Sequence, residues 1–221
     1  MTIADVSPHR VQLPDTAFQM WLSGELDAYL HIPDDGSRVE IIDGKIIVSP
    51  APRFRHGGIL QQLSNLLDRE LVKDPGYRWR CVQNNSLAFM AEENGYIPDL
   101  VVMDVDLYED AWNANLRHLV PDQVELVVEV TSPSTAVQDR PPTGKTSGRG
   151  KWCGYARAEI PYYLLIDLDP KVAQVTLHSI PDAAAGAYLH TEAWKLGETV
   201  VLPDPIGVSV PTGSWQVWSE E

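Results

Sequence analysis

"ELVVEVTSPSTAVQDR" (residues 125–140) is an apolar run carrying one acid, Glu129, followed by a Ser/Thr/Pro turn and Asp139-Arg140. "YIPDLVVMD" (residues 96–104) repeats the plan, with Asp99 following Pro98 and opening a second apolar run. In both the Val and Leu residues are continuous, the pattern of strands buried on both faces in the middle of a sheet. Central strands rarely keep an ionised carboxylate without a partner. Two such acids on adjacent strands project side by side, and their repulsion demands a compensating charge. A hard divalent cation supplies it, since Mg²⁺ takes one or two protein carboxylates together with waters and substrate phosphate. The competing reading for each acid is a strand-end carboxylate, solvated or paired with arginine.

Working outward, "DTAFQMWLSGELDAYLHI" (residues 15–32) spaces Phe18, Trp21, Leu22, Leu26 and Leu30 as a helical stripe that runs through Gly24. "SRVEIIDGKIIVSP" (residues 37–50) predicts a hairpin, with β-branched runs on either side of Asp43-Gly44, a pair that favours a two-residue type I′ turn. A long amphipathic helix follows over residues 53–76, closed by Asp74-Pro75-Gly76. Strands are expected at residues 77–82 and 86–90, with Asn84-Asn85 as the turn between them. A short helix is expected near residues 107–112, another at 151–159, a buried strand at 160–169 with a hairpin partner at 171–180, and short antiparallel strands beyond. The Pro-, Gly- and Ser-rich "RPPTGKTSGRGK" (residues 140–151) reads as a mobile loop. Residues 1–12 read as a loose start. The order predicts an α/β (α+β) chain, a sheet of mixed direction with helices on its faces, in one domain spanning residues 1–221.

The 221 residues, 44% hydrophobic with seven Trp, suit one domain with a sizeable core. No stretch approaches the ~20 apolar residues of a membrane span. The N-terminus shows no basic region followed by an apolar one, so no signal peptide is expected. Two cysteines without metal spacing, Cys81 and Cys153, point to a reducing, cytoplasmic setting. Seventeen Lys+Arg against 31 Asp+Glu give a net charge of −14. That balance argues against a protein that coats nucleic acid through phosphate neutralisation. It is compatible with a local basic rim around an acidic site filled by a metal ion, where the bound cation reverses the local sign.

Further residues carry chemistry. His56 opens the long helix behind Arg53 and Arg55, and a helix N-terminus with basic side chains seats phosphate. The alternative is an ordinary, partly exposed histidine. Glu40 alternates with Val39 and Ile41, so it faces away from them, and one reading makes it a solvent-facing acid on an edge hairpin. Tyr155 shares a helix face with Lys151, four residues earlier, and packing is its expected role. The chain has no phosphate-binding Gly-rich loop, no H-E-x-x-H and no G-x-S-x-G. Its Trp and Tyr residues sit mostly in apolar runs, as core residues do, rather than as a base-stacking platform.

Asp99 after Pro98, Glu129 in "VVEVTSPST", Asp139-Arg140, and Lys151 leading into "YARAEIPYYLLID" together resemble the Uma-type restriction endonuclease family of the PD-(D/E)xK superfamily. The upstream "VEIIDGKIIVSPAP" and His56 are similar to that family's opening. The resemblance implies a restriction-endonuclease-like mixed central sheet flanked by helices, with antiparallel hairpins at both ends. It also implies a Mg²⁺-dependent phosphodiesterase, or one using Mn²⁺, acting on nucleic acid, DNA in the first instance, without membrane association; the two-fold symmetry of a duplex, with fold analogy, points to a homodimer. Asp99 and Glu129 would be metal ligands, Lys151 the lysine that orients water, and Glu40 and His56 accessory catalytic residues. The superfamily lysine normally stands two residues after the second acid, where this chain has Thr131. In many members a neighbouring helix supplies it instead, and a flexible four-carbon stem makes that geometrically reasonable. The insertion before Lys151 leaves Lys145 as a rival for that role, and it adds basic residues that read either as a flap over substrate phosphates or as a tolerated surface insertion. Asp139 either holds Lys151 or starts the loop. A fold retained without catalysis, as a binding or regulatory protein, is the competing functional reading, favoured by the charge and the displaced lysine.

Overall fold

The computed structural model describes residues 4–6, 13–144 and 148–219. The chain opens with a short strand, β1 (Ala4–Val6), and two helices, α1 (Ala17–Ser23) and α2 (Leu26–Tyr29). The expected continuous helix is thus broken at Gly24, which closes α1 at φ 77, while Phe18, Trp21 and Leu26 of the stripe are buried as expected. The predicted hairpin forms as β2 (Arg38–Ile42) and β3 (Lys45–Ser49), with positive φ at both Asp43 and Gly44. The long helix is α3 (Phe54–Lys73), followed by β4 (Trp79–Gln83), β5 (Ser86–Phe89), β6 (Asn94–Tyr96) and β7 (Leu100–Asp104). Then come α4 (Val105–Ala114), β8 (His118–Leu119) and β9 (Leu126–Val130). Two short helices, α5 (Ala136–Asp139) and α6 (Lys151–Arg157), lead to β10 (Tyr162–Asp167), β11 (Gln174–Asp182), β12 (Ala187–Lys195), β13 (Thr199–Val201) and β14 (Ser209–Pro211).

The strands divide between two six-stranded mixed sheets and a final hairpin. The central sheet has the order β12-β11-β10-β9-β7-β4, and the other runs β1-β3-β2-β6-β5-β8. The Asn84-Asn85 turn therefore does not close a hairpin. β4 pairs with β7 and β5 pairs with β6, so this turn carries the chain from one sheet to the other, with Asn84 at φ 55. Local sequence could not reveal this, because the partners of β4 and β5 arrive later in the chain. β9 and β10 are parallel, joined through α5 and α6, as parallel neighbours require a crossover.

The central sheet is covered on both faces, which explains its unbroken Val/Leu runs. On one face Leu100, Val102, Leu126, Val128, Leu164 and Ile166 pack with Ile59, Leu60, Leu63 and Leu67 of α3. On the other, Val101, Met103, Val127, Tyr163 and Leu165 meet Tyr155 and Ala156 of α6 and Ile42, Leu87 and Phe89 of the second sheet. Each fully buried aliphatic contributes about 1.5–3 kcal/mol, so these two layers fix where the polar residues among them must point. Of the chain start read as loose, residues 4–6 form a strand on β3, and the rest lies outside the described residues. So does Lys145.

Candidate active site

β7 and β9 are antiparallel neighbours with Leu100 opposite Val128. Continuing that register by one residue sets Asp99 beside Glu129, and alternation turns both toward the α6 side of the sheet. Asp99 Oδ2 accepts the Val130 N–H at 2.8 Å, tying the two strand ends together. Glu40 arrives from β2 on the second sheet, where Val39 and Ile41 face the α1 cluster and Glu40 points the opposite way. It is 3% exposed and accepts the Ile97 N–H at 2.7 Å. A solvent-facing Glu40 is therefore excluded. Asp139, the last residue of α5, is 1% exposed.

Four buried carboxylates converge here, and three basic side chains answer them. Lys151, the first residue of α6, is 4% exposed; its Nζ lies 2.8 Å from Glu40 Oε1, 3.0 Å from Glu129 Oε1 and 3.9 Å from Asp139 Oδ1. Arg38 Nη1 meets Asp99 Oδ1 at 2.6 Å, and His56 Nε2 lies 2.9 Å from the same oxygen. The His56 contact has ion-pair distance without the alignment of a good hydrogen bond. Tyr155 donates its hydroxyl to Glu129 Oε1 at 2.6 Å, so it does more than pack.

These surroundings push the two neighbouring acids apart. Burial alone would raise Asp99, but His56 and Arg38 outweigh it and hold the carboxyl well below the usual range. Burial drives Glu129 up to about 8; Lys151 opposes this, while the charges of Asp139, Asp99 and Glu40 reinforce it. Asp139 is pushed to about 7 chiefly by burial, again against Lys151. For Lys151 burial favours the neutral amine, yet Glu129, Glu40 and Asp139 prevail and raise it well above its ordinary value.

Local structure explains why Lys151 reaches so far in. Its predecessor Gly150 caps α6 at φ 91, and a Cβ there would come within 2.8 Å of the Gln138 carbonyl oxygen. No other residue fits that approach without displacing α5 or the start of α6. Gly150 N–H also donates to Asp43 Oδ2 at 2.9 Å. Arg140, one of the basic residues that a flap over substrate phosphates would use, pairs with Asp167 at 2.6 Å and Asp169 at 2.9 Å. Thr131, at the usual lysine position, is 2% exposed and uses its hydroxyl on β10, donating to Asp167 Oδ1 at 3.1 Å and accepting the Leu168 N–H at 3.0 Å.

Among the described residues no three or more His, Cys, Asp or Glu side chains form a group that by itself could hold a metal ion. Asp99 and Glu129 nevertheless offer hard oxygen donors on a cleft of about 1150 Å³, and Asp139 Oδ1 is a buried carboxylate oxygen without a hydrogen bond. That donor set fits a hard divalent cation that draws most of its ligands from water and substrate. Arg38 and the Tyr155 hydrogen bond escape a reading of sequence motifs. The available signal for Arg38 was its place two residues before Glu40, which puts both on one face of β2.

Among the described residues no helix is long and apolar enough to cross a membrane. No curated protein matches the chain. Among solved structures the fold is similar to the crystal structure of a protein described as a "putative nuclease" from Anabaena variabilis ATCC 29413. The TM-score is 0.55 at 20% identity, over 80% of this chain and 88% of that one. The model of the Uma2 family, described as "Putative restriction endonuclease", matches residues 26–213, and the chain belongs to that family.

Proposed function

We propose that the chain is a divalent-metal-dependent endonuclease in which Asp99 and Glu129 hold Mg²⁺ or Mn²⁺ and nucleic acid is the substrate. The observation that carries this reading is the position of Lys151, whose Nζ lies 3.0 Å from Glu129 and 2.8 Å from Glu40 although it comes from a helix and not from β9. A cation held by the two acids supplies Lewis acidity toward water and phosphate. In the hydrolysis a water oxygen bonds to phosphorus, the bond to one ester oxygen breaks, and that oxygen leaves as an alcohol. Lys151 stays an ammonium throughout, so it acts as a hydrogen-bond donor that holds the incoming water and offsets charge at phosphorus, not as a base. Glu40 fixes the ammonium from its far side. Tyr155 orients Glu129, and Arg38 with His56 keeps Asp99 ionised.

The competing reading, a fold without chemistry, drew support from the lysine missing at Thr131, and the reach of Lys151 weakens it. Calorimetry with Mn²⁺ on the wild type, Asp99→Ala and Glu129→Ala tests the proposal, beside cleavage assays on Lys151→Ala. We expect one ion bound by the wild type, none by either acid variant, and no cleavage by Lys151→Ala. A wild type that binds no divalent ion at millimolar concentration ends the nuclease reading.

A further inference from the structure

The floor of the cleft is the acid–base cluster, but its rim has different chemistry. Phe54, the first residue of α3, is 97% exposed and lines the cleft between Arg53 and Arg55. The other two phenylalanines, Phe18 and Phe89, are 2% and 3% exposed, so Phe54 is not core. Trp218, partly exposed, lines the same cleft from the C-terminal segment. Its backbone N–H donates to the Leu168 carbonyl at 3.0 Å, and Arg55 Nη1 donates to the Val217 carbonyl at 2.9 Å. Ser49, 6% exposed, also lines the cleft, and its Oγ has no hydrogen-bond partner.

We infer that Phe54 is a stacking platform for an unpaired base, that Arg53 and Arg55 meet the flanking phosphates, and that the substrate of this site is single-stranded nucleic acid. This deepens the nuclease reading and rests on it. In a duplex the faces of the bases are covered by their neighbours, and exposing one costs a few kcal/mol. In a single strand they are available, and stacking on an aromatic ring is sequence-tolerant. Duplex binding draws on many phosphate contacts, whereas this chain carries a net charge of −14 and sets two arginines beside Phe54. Stacking therefore carries the affinity. The acids of the floor are largely offset toward the strand, because Arg38 and His56 face Asp99 while Lys151 lies among Glu40, Glu129 and Asp139. A single strand has no two-fold axis, so the symmetry argument for a dimer lapses.

The test measures anisotropy of a labelled oligothymidylate of about 12 nucleotides, within the span of typical single-strand sites, and of a duplex of equal length. Both are titrated in EDTA with the wild type, Phe54→Ala and Phe54→Trp. The strand should bind the wild type more tightly than the duplex does. Phe54→Ala should weaken strand binding on the order of 5- to 100-fold, and Phe54→Trp should retain it. The salt slope should be shallow, about −1.4 for two phosphates. Tighter duplex binding, or an unchanged Phe54→Ala, overturns the inference. Mn²⁺ calorimetry on the same samples separates the two claims. If the wild type binds the ion and Asp99→Ala does not, while Phe54→Ala binds the strand normally, only the platform falls. If Phe54→Ala loses the strand while Asp99→Ala binds Mn²⁺ as the wild type does, the metal reading falls and the platform stands.

Discussion

Replacing Lys151 with methionine keeps most of the unbranched side chain and removes its charge from among three buried acids. At pH 8.5 the ammonium compensates Glu40, Glu129 and Asp139 at 2.8, 3.0 and 3.9 Å. Removing one partner of a buried ion pair costs about 3–5 kcal/mol, because the remaining charge is left uncompensated. The acids have an escape, which is to bind protons. Glu129 and Asp139 already sit at about 8 and about 7 with Lys151 present, and losing the cation raises both further. Each unit of falling pH then returns up to about 1.4 kcal/mol per carboxyl that protonates. Urea unfolding of Lys151→Met in EDTA should therefore show the full loss at pH 8.5 and less than about 2 kcal/mol at pH 6. Lys73→Met serves as the control, since Lys73 pairs with Glu70 at 2.6 Å on the surface; it should cost at most about 0.5 kcal/mol at either pH. A loss in Lys151→Met that is small at pH 8.5, or equal at both pH values, would refute the idea that this ammonium neutralises the acid cluster.

In the metal-free wild type, Glu129 and Asp139 hold protons that the unfolded chain releases from about pH 4 upward, so the folded state binds more protons and stability falls as pH rises from 5 to 7, by a few kcal/mol on the order of magnitude. Millimolar Mn²⁺ should flatten this fall in thermal unfolding, because the ion takes the place of the protons; an unchanged slope would count against Glu129 as a ligand. Gly150→Ala, at φ 91 and 2.8 Å from the Gln138 carbonyl, should lower stability by about 1–3 kcal/mol and weaken Mn²⁺ binding without altering any charge. Stability and calorimetry unchanged from wild type would show that Gly150 does not set the position of Lys151. Tyr155→Phe removes one 2.6 Å hydrogen bond to Glu129 and should cost about 0.5–1.5 kcal/mol in urea unfolding at pH 7, where Glu129 holds its proton, with weaker Mn²⁺ binding; no change in either would reduce Tyr155 to packing.

The sequence was most legible where periodicity and burial agree. The unbroken aliphatic runs of β7 and β9 announced a central sheet, and a carboxylate at the edge of each run could only lie beside the other once those strands paired. Asp43-Gly44 announced its turn because both positions need positive φ. Pairing between distant strands was not legible. Asn84-Asn85 has the composition of a hairpin turn, yet the partners of its flanking strands lie elsewhere in the chain, so it became a passage between sheets. Gly24 shows the same limit on a smaller scale, since the stripe of buried residues persists across a break in the helix. Arg38 and Tyr155 were hidden for another reason. Each acts on a residue far away in the chain, across 61 positions to Asp99 and 26 to Glu129, and no local spacing records such contacts.

Within the crossover between the two parallel strands, the passage from α5 to α6 is clamped at both ends. Arg140 is locked to Asp167 and Asp169 at its entry, and Gly150 is held by Asp43 at its exit. These two clamps, and not the count of residues between them, set where α6 begins and so where Lys151 stands. An affinity tag or a targeting peptide inserted between Arg140 and Gly150 should therefore leave the lysine over its acids, with Mn²⁺ calorimetry unchanged from the wild type. With Lys151 held in this way, the spacing between Asp139 and Lys151 is a poor ruler for deciding whether a relative keeps an intact site.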